Sequence, residues 1–131
     1  MALTIAAATT QAMGAALATN IGASSVLEIR SGAKPATPET AASGTLLVSI
    51  TISGSFTSTG GVLTAADPAS TAPAASGTAG HFRLKQSGGT AVLDGTVTAT
   101  GGGGDMQLGS TTITTGVNVD LGVPTISVPV A

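Results

Sequence analysis

Residues Gly80 to Val97, G-H-F-R-L-K-Q-S-G-G-T-A-V-L-D-G-T-V, restrict the fold of this chain more than any other stretch. Phe82 and Leu84 alternate with His81, Arg83 and Lys85, which is the two-residue period of a strand with one buried face. Ser87-Gly88-Gly89 then predicts a tight turn, because glycine enters positive φ without a steric penalty. From Thr90 the chain returns with Val92, Leu93 and Val97, so the stretch reads as a hairpin whose Phe82 side faces a core.

The core available to that hairpin is modest. Apolar residues make up 42% of 131, yet much of that is Ala and Val, and Phe56 and Phe82 are the only aromatics. At about 25 cal/mol per Å² each small side chain contributes little, so one domain of low autonomous stability is expected. Charged residues are 8% of the chain against about 25% in ordinary soluble domains. A surface made mostly of Thr, Ser, Gly and Ala gives up little hydration on contact and favours association with copies of itself or with a partner. Net charge is −2 with four basic residues scattered along the sequence. That leaves no footprint for nucleic acid. The absence of cysteine excludes a disulfide framework and thiolate metal ligation.

The first 23 residues are uncharged. A secretory signal needs a basic start and none precedes Arg30, so no signal is expected. A membrane span is not expected either, since Thr, Gln and Asn dilute the alanines. Ala favours helix, and Ala6, Met13, Leu17 and Ile21 fall near one face of a helix over about residues 10–19, with Asn20 and Gly22 suited to its end. Residues 1–23 are therefore read as an N-terminal helix or arm and 24–131 as a β domain. An isolated uncharged helix of this length is marginal in water, so the arm should gain burial on a neighbouring subunit or, alternatively, on its own sheets.

Period two begins at Ser25, with Leu27 and Ile29 on one face and Val26, Glu28 and Arg30 on the other. Pro35 and Pro38 make residues 33–44 a surface loop. Leu46, Val48, Ile50 and Ile52 alternate with Leu47, Ser49, Thr51 and Ser53 in the cleanest strand pattern of the chain. Phe56, Gly60-Gly61 and Val62-Leu63 suit a short hairpin, and residues 65–77 read as a loop. Gly101–Gly104 reads as a flexible joint. Met106, Leu108 and Ile113 follow, then a Val117, Val119, Leu121 alternation, then a last strand with Ile126, Val128 and Val130 that Pro124 and Pro129 push to a sheet edge. About seven short strands without an internal repeat predict a mainly β chain, an antiparallel β-sandwich or jelly-roll-like domain with one N-terminal helix.

No constellation of catalytic residues emerges, so the chain is not expected to be an enzyme. Gly101–Gly104 lacks the lysine of a phosphate-binding loop. His81, the sole histidine, is placed on the outward face beside Arg83 and Lys85, where cationic neighbours disfavour both its protonation and a bound metal ion, and is read as an exposed strand residue. Asp94 and Asp105 are read as solvated carboxylates, because a sugar-cleaving pair would want aromatic platforms and the chain has no Trp or Tyr. Asp67, Asp105 and Asp120 belong to no spaced acidic calcium loop. No catalytic, cofactor or metal residue is assigned.

Read in order, Leu27-Glu28-Ile29-Arg30-Ser31-Gly32, Lys34-Pro35-Ala36-Thr37-Pro38-Glu39-Thr40-Ala41 and Leu46-Leu47-Val48-Ser49-Ile50-Thr51 form the first half of a series. His81-Phe82-Arg83-Leu84, Val92-Leu93-Asp94-Gly95-Thr96-Val97 and Asp105-Met106-Gln107-Leu108 before Ile113 and Gly116 form the second. The series resembles a group of small structural proteins of tailed bacteriophages and covers most of the chain. His81 and Arg30 depart from it, standing where that group tends to carry aromatic residues. The resemblance implies a virion component assembled in the host bacterial cytoplasm. Its expected partners are further copies of itself and other virion proteins, the major capsid protein first among them, with no nucleic acid and no membrane. A capsid decoration or cement role leads, and a tail, neck or fibre position is the alternative. A carbohydrate- or surface-binding β-sandwich module is the reading from another class, weakened by the missing aromatics.

Overall fold

The structure, a computed structural model, describes residues 4–122 and 125–127. The chain is mainly β with one N-terminal helix. Helix α1 (Ala7–Ile21) leads into β1 (Ser25–Ser31), β2 (Leu46–Ile52), the hairpin β3 (Thr57–Thr59) and β4 (Val62–Thr64), and the long pair β5 (Gly77–Lys85) and β6 (Ala91–Ala99). Three short strands follow, β7 (Met106–Leu108), β8 (Thr112–Ile113) and β9 (Thr125–Ser127). One sheet runs β2-β1-β5-β6-β7, with β8 attached to the start of β5, and a smaller sheet runs β3-β4-β9.

The alternation read from the sequence sets the faces of the large sheet. Leu27 stands opposite both Ile50 and Leu84, and Ile29 opposite both Val48 and Phe82, so three strands send apolar side chains to one side. That side meets the small sheet and the helix. Leu27, Ile52 and Leu84 share one buried cluster with Phe56, Leu63, Ala18 and Ile21, while Ile29, Val48, Ile50, Val97 and Ile113 form a second. Phe82 borders both and lies across Gly95, its direct cross-strand partner, where a Cβ would collide with the ring. A glycine opposite an aromatic lets the ring cover the bare strand.

The helix is longer than its sequence signal, and the face it buries differs from the expected one. Thr10, Gly14, Ala18 and Ile21 are buried, whereas Met13 is 42% exposed, Ala6 is exposed and Leu17 only borders the core. Small residues win because α1 lies directly on β3 and β4. A Cβ at Gly14 would run into the Ser58 hydroxyl and stand 3.2 Å from the Gly61 Cα, so only a glycine at this position permits the approach. Gln11 fastens the contact through its Nε2, which donates to the Ser58 carbonyl at 2.9 Å. The burial that a marginal helix needs is thus supplied by its own chain.

Glycines 101–104 form a compact return and not a flexible joint. β6 and β7 pair in parallel, Val97 with Met106 and Ala99 with Leu108, in a sheet that is otherwise antiparallel. Parallel neighbours ordinarily need a crossover of about a dozen residues or more. Here the chain doubles back within a few, which is feasible because Gly101 and Gly103 take positive φ and Gly102 and Gly104 close against Thr98. Gly104 N–H donates to Thr98 Oγ1 at 3.0 Å and Thr100 N–H to the Leu108 carbonyl at 2.9 Å. The Asp105 carboxylate accepts from the Thr96 N–H and hydroxyl at 2.9 and 3.0 Å.

Two further expectations give way to tertiary context. Leu47, assigned to the outward set, is fully buried, because the ladder shifts register at Ile29/Arg30 and residues 74–75 fold over it, donating backbone N–H groups to its carbonyl. Val117–Leu121 is not a strand. It makes a single bridge, Thr71 to Val119, that ties down the 65–77 loop. β9 is the outer strand of the small sheet, while Pro124, Val128, Pro129 and Val130 lie outside the described residues.

Candidate functional site

The chemistry-bearing side chains gather on the face of the large sheet opposite the apolar layer. Glu28 pairs with Arg83 between β1 and β5, and Arg83 with Asp94 between β5 and β6, with Arg30 and Lys85 close by on the same side. Five of the chain's ten acidic and basic residues thus share one patch, for the simple reason that alternation sends every second residue there. Loop 32–44 folds back across this face and turns a solvent-facing row into a covered one.

Arg83 is the centre of the patch. Its Nε donates to Asp94 Oδ1 at 2.7 Å and one terminal nitrogen to Oδ2 at 2.8 Å, a two-pronged pair whose side chains are 8% and 1% exposed. The same terminal nitrogen donates to the Thr40 carbonyl of the covering loop at 2.8 Å. The hydrogen bond to Asp94 raises the Arg83 pKa further, against the opposing effect of burial, so the cation is permanent. Glu28 accepts from Arg30 at 3.2 Å and from Lys85 at 3.0 Å. Burial alone would push its carboxyl up, but the hydrogen bonds and charges of Lys85 and Arg30 prevail and hold it below the ordinary value.

His81 is fully buried, not exposed as its position on the outward face suggested. The returning loop explains the difference: Gly80 packs against the Gly32 backbone so closely that no Cβ would fit, and the imidazole Nδ1–H donates to the Gly32 carbonyl at 3.1 Å. Its Nε2 is buried and has no hydrogen-bond partner among the described residues. Asp94 is likewise no solvated carboxylate but the shielded partner of Arg83. Asp105 is exposed and fixes the glycine return, and the two hydrogen bonds from Thr96 hold its pKa below the ordinary 3.8. Asp67 and Asp120 are exposed, and the described residues contain no grouping of three or more side chains suited to a metal ion. Sequence reading placed Glu28, Arg30, Arg83 and Lys85 on the face opposite the apolar layer, as found, and gave Asp94 no face. It missed the covered state, because nothing in the 33–44 composition announces that the loop lies down on the sheet.

A second feature is a cleft of about 240 Å³ between the two sheets. Phe82, Asp105, Met106, Leu108, Leu121 and Ile126 are among the residues that line it. Among the described residues no helix is long and apolar enough to cross a membrane. No protein-family model, curated protein or solved structure matches the chain. In the covered patch each cation already faces a carboxylate, so what the arrangement does chemically is hold a loop to a sheet.

Proposed function

We propose that this chain is a structural component of a tailed-bacteriophage particle, a decoration or cement protein that binds the capsid shell in several copies through protein contacts. The observation that carries the reading is where the charge sits. Half of a sparse set of charged side chains is drawn into one patch on the large sheet, and the outward side of α1, with Ala8, Ala12, Met13, Ala15, Ala16 and Thr19 exposed, carries none. Such a surface loses little hydration when another protein covers it. The ordered series of motifs that resembles small phage virion proteins supports the same reading. We read the two sheets, which share a core, as a sandwich-like domain built to present that surface.

Introducing charge on the outward helix face tests the proposal without touching the core. Ala12→Asp with Ala16→Asp should leave the thermal midpoint within a few degrees and abolish incorporation into particles. Quantitative mass spectrometry of purified virions supplies the location: hundreds of copies indicate the shell or tail tube, a few indicate neck or fibre. Absence of the protein from particles rejects the assignment.

A further inference from the structure

The large sheet ends at β2, and that edge lacks the devices by which proteins protect an outer strand. Leu46–Ile52 contains no charge, no proline and no inward-pointing lysine. Leu47 directs its carbonyl away from β1, to Ala74 and Ala75. By the two-residue alternation of strand backbone, Ser49 and Thr51 present their N–H and C=O groups to the same free side. β2 has no neighbouring strand on that side, and among the described residues no loop or turn hydrogen bond reaches those four groups. Their side chains are exposed on the outer face, while Val48, Ile50 and Ile52 between them are buried.

We propose that the β2 edge pairs antiparallel with the β2 edge of a second copy of this chain, joining two large sheets into one across a two-fold axis at Ile50. The free groups require an extended strand, and a strand without charge is its own antiparallel complement. One register uses all four groups in each copy. Ser49 stands opposite Thr51 of the second copy and Thr51 opposite Ser49, which closes four backbone hydrogen bonds and sets two Ser–Thr pairs on the outer face. The same residue meets its own counterpart only at Ile50, as a two-fold interface demands. Leu47 marks one limit of the contact, since residues 74–75 already occupy its carbonyl. This interface is independent of whether the protein belongs to a virion.

The chain has no cysteine, so an introduced disulfide reports the pairing without background. Opposed residues in such a ladder have Cα atoms about 5.5 Å apart, within disulfide reach. Under mild oxidation the S49C/T51C double variant should give a covalent dimer as its main product, with S49C alone giving far less. S49K/T51K sets lysine opposite lysine on the exposed face and should run at half the wild-type mass in native mass spectrometry. Amide exchange of the unmodified protein provides a reading that needs no variant: the Ser49 and Thr51 N–H groups should slow at least tenfold between dilute and concentrated samples. A monomer at every concentration with unslowed exchange overturns the proposal. Dominant cross-linking through S49C alone overturns the register. Protection that arises only when another particle protein is added overturns the choice of a second copy as the occupant.

Discussion

Along β5, Phe82 and Leu84 meet Ile29, Leu27 and Leu93 in an apolar layer, whereas Arg83 and Lys85, one residue away on the same strand, meet carboxylates beneath a folded-back loop. The first side is non-directional, and its stability scales with area removed from water. The second depends on geometry: Arg83 satisfies two oxygens of Asp94 and one carbonyl of the loop, and no substitute side chain makes all three bonds. A chain with two aromatics and many alanines has little apolar area to spare. It therefore closes its second face with paired charges, an arrangement that tolerates loss of both partners better than loss of one.

The largest loss is expected where one ion of the pair is orphaned. Asp94→Ala leaves the Arg83 guanidinium buried without its carboxylate and should cost about 3–5 kcal/mol in urea denaturation, enough to unfold a weak domain. Replacing both, Arg83→Met with Asp94→Leu, should recover most of that loss. If the double variant is no better than Asp94→Ala alone, the pair is stabilising in itself and the charged face does not tolerate loss of both partners.

On the apolar side, Gly95→Ala forces a methyl into the Phe82 ring and should cost about 1–3 kcal/mol. Phe82→Leu in the same chain should relieve part of it, and a double-mutant cycle measures the coupling. Additive effects would show that ring and glycine do not touch.

Acid should act on the charged side. Glu28 and Asp105 both have pKa values held below their ordinary 4.5 and 3.8 in the folded protein, Glu28 by Lys85 and Arg30 and Asp105 by Thr96. Their contribution is complete above those ordinary values and is lost as pH falls through the lower folded ones. Thermal midpoints should therefore hold from neutrality to about pH 5 and decline below pH 4. Glu28→Gln should flatten part of that decline.

The smallest effect concerns the helix. Met13→Ala should change stability by no more than about 0.5 kcal/mol, because the side chain that the apolar pattern pointed inward is exposed. A loss near that of a buried methionine would return it to the interface.

These cases show which signals were legible. Strand periodicity around Leu27, Val48, Ile50, Phe82 and Leu84 names the apolar face correctly because alternation is local geometry. The helix face, the burial of His81 and the pairing of Arg83 with Asp94 depend on what lies on top of each element. Apolar size pointed to Met13, while contact with the β3–β4 hairpin selected Gly14, since backbone approach needs the absence of a side chain. For the glycine return, composition suggested looseness, and the hydrogen bonds that Thr96 and Thr100 donate and Thr98 accepts make it closed.

The parallel return from β6 to β7 also bears on the order in which the chain assembles. Thr96 and Asp105 are nine residues apart, and β5 and β6 are joined by a short turn, so residues 77–108 find their partners locally. β1, in contrast, must wait for β5: Glu28 and Lys85 stand 57 residues apart. Pairings at such separation form slowly because a long loop must close before any contact rewards it. During synthesis β1 and β2 leave the ribosome well before their central neighbour. For that interval β1 has β2 alone beside it and the side that β5 will take stands open, which makes nascent chains at high local density the point at which wrong pairings compete with the native one.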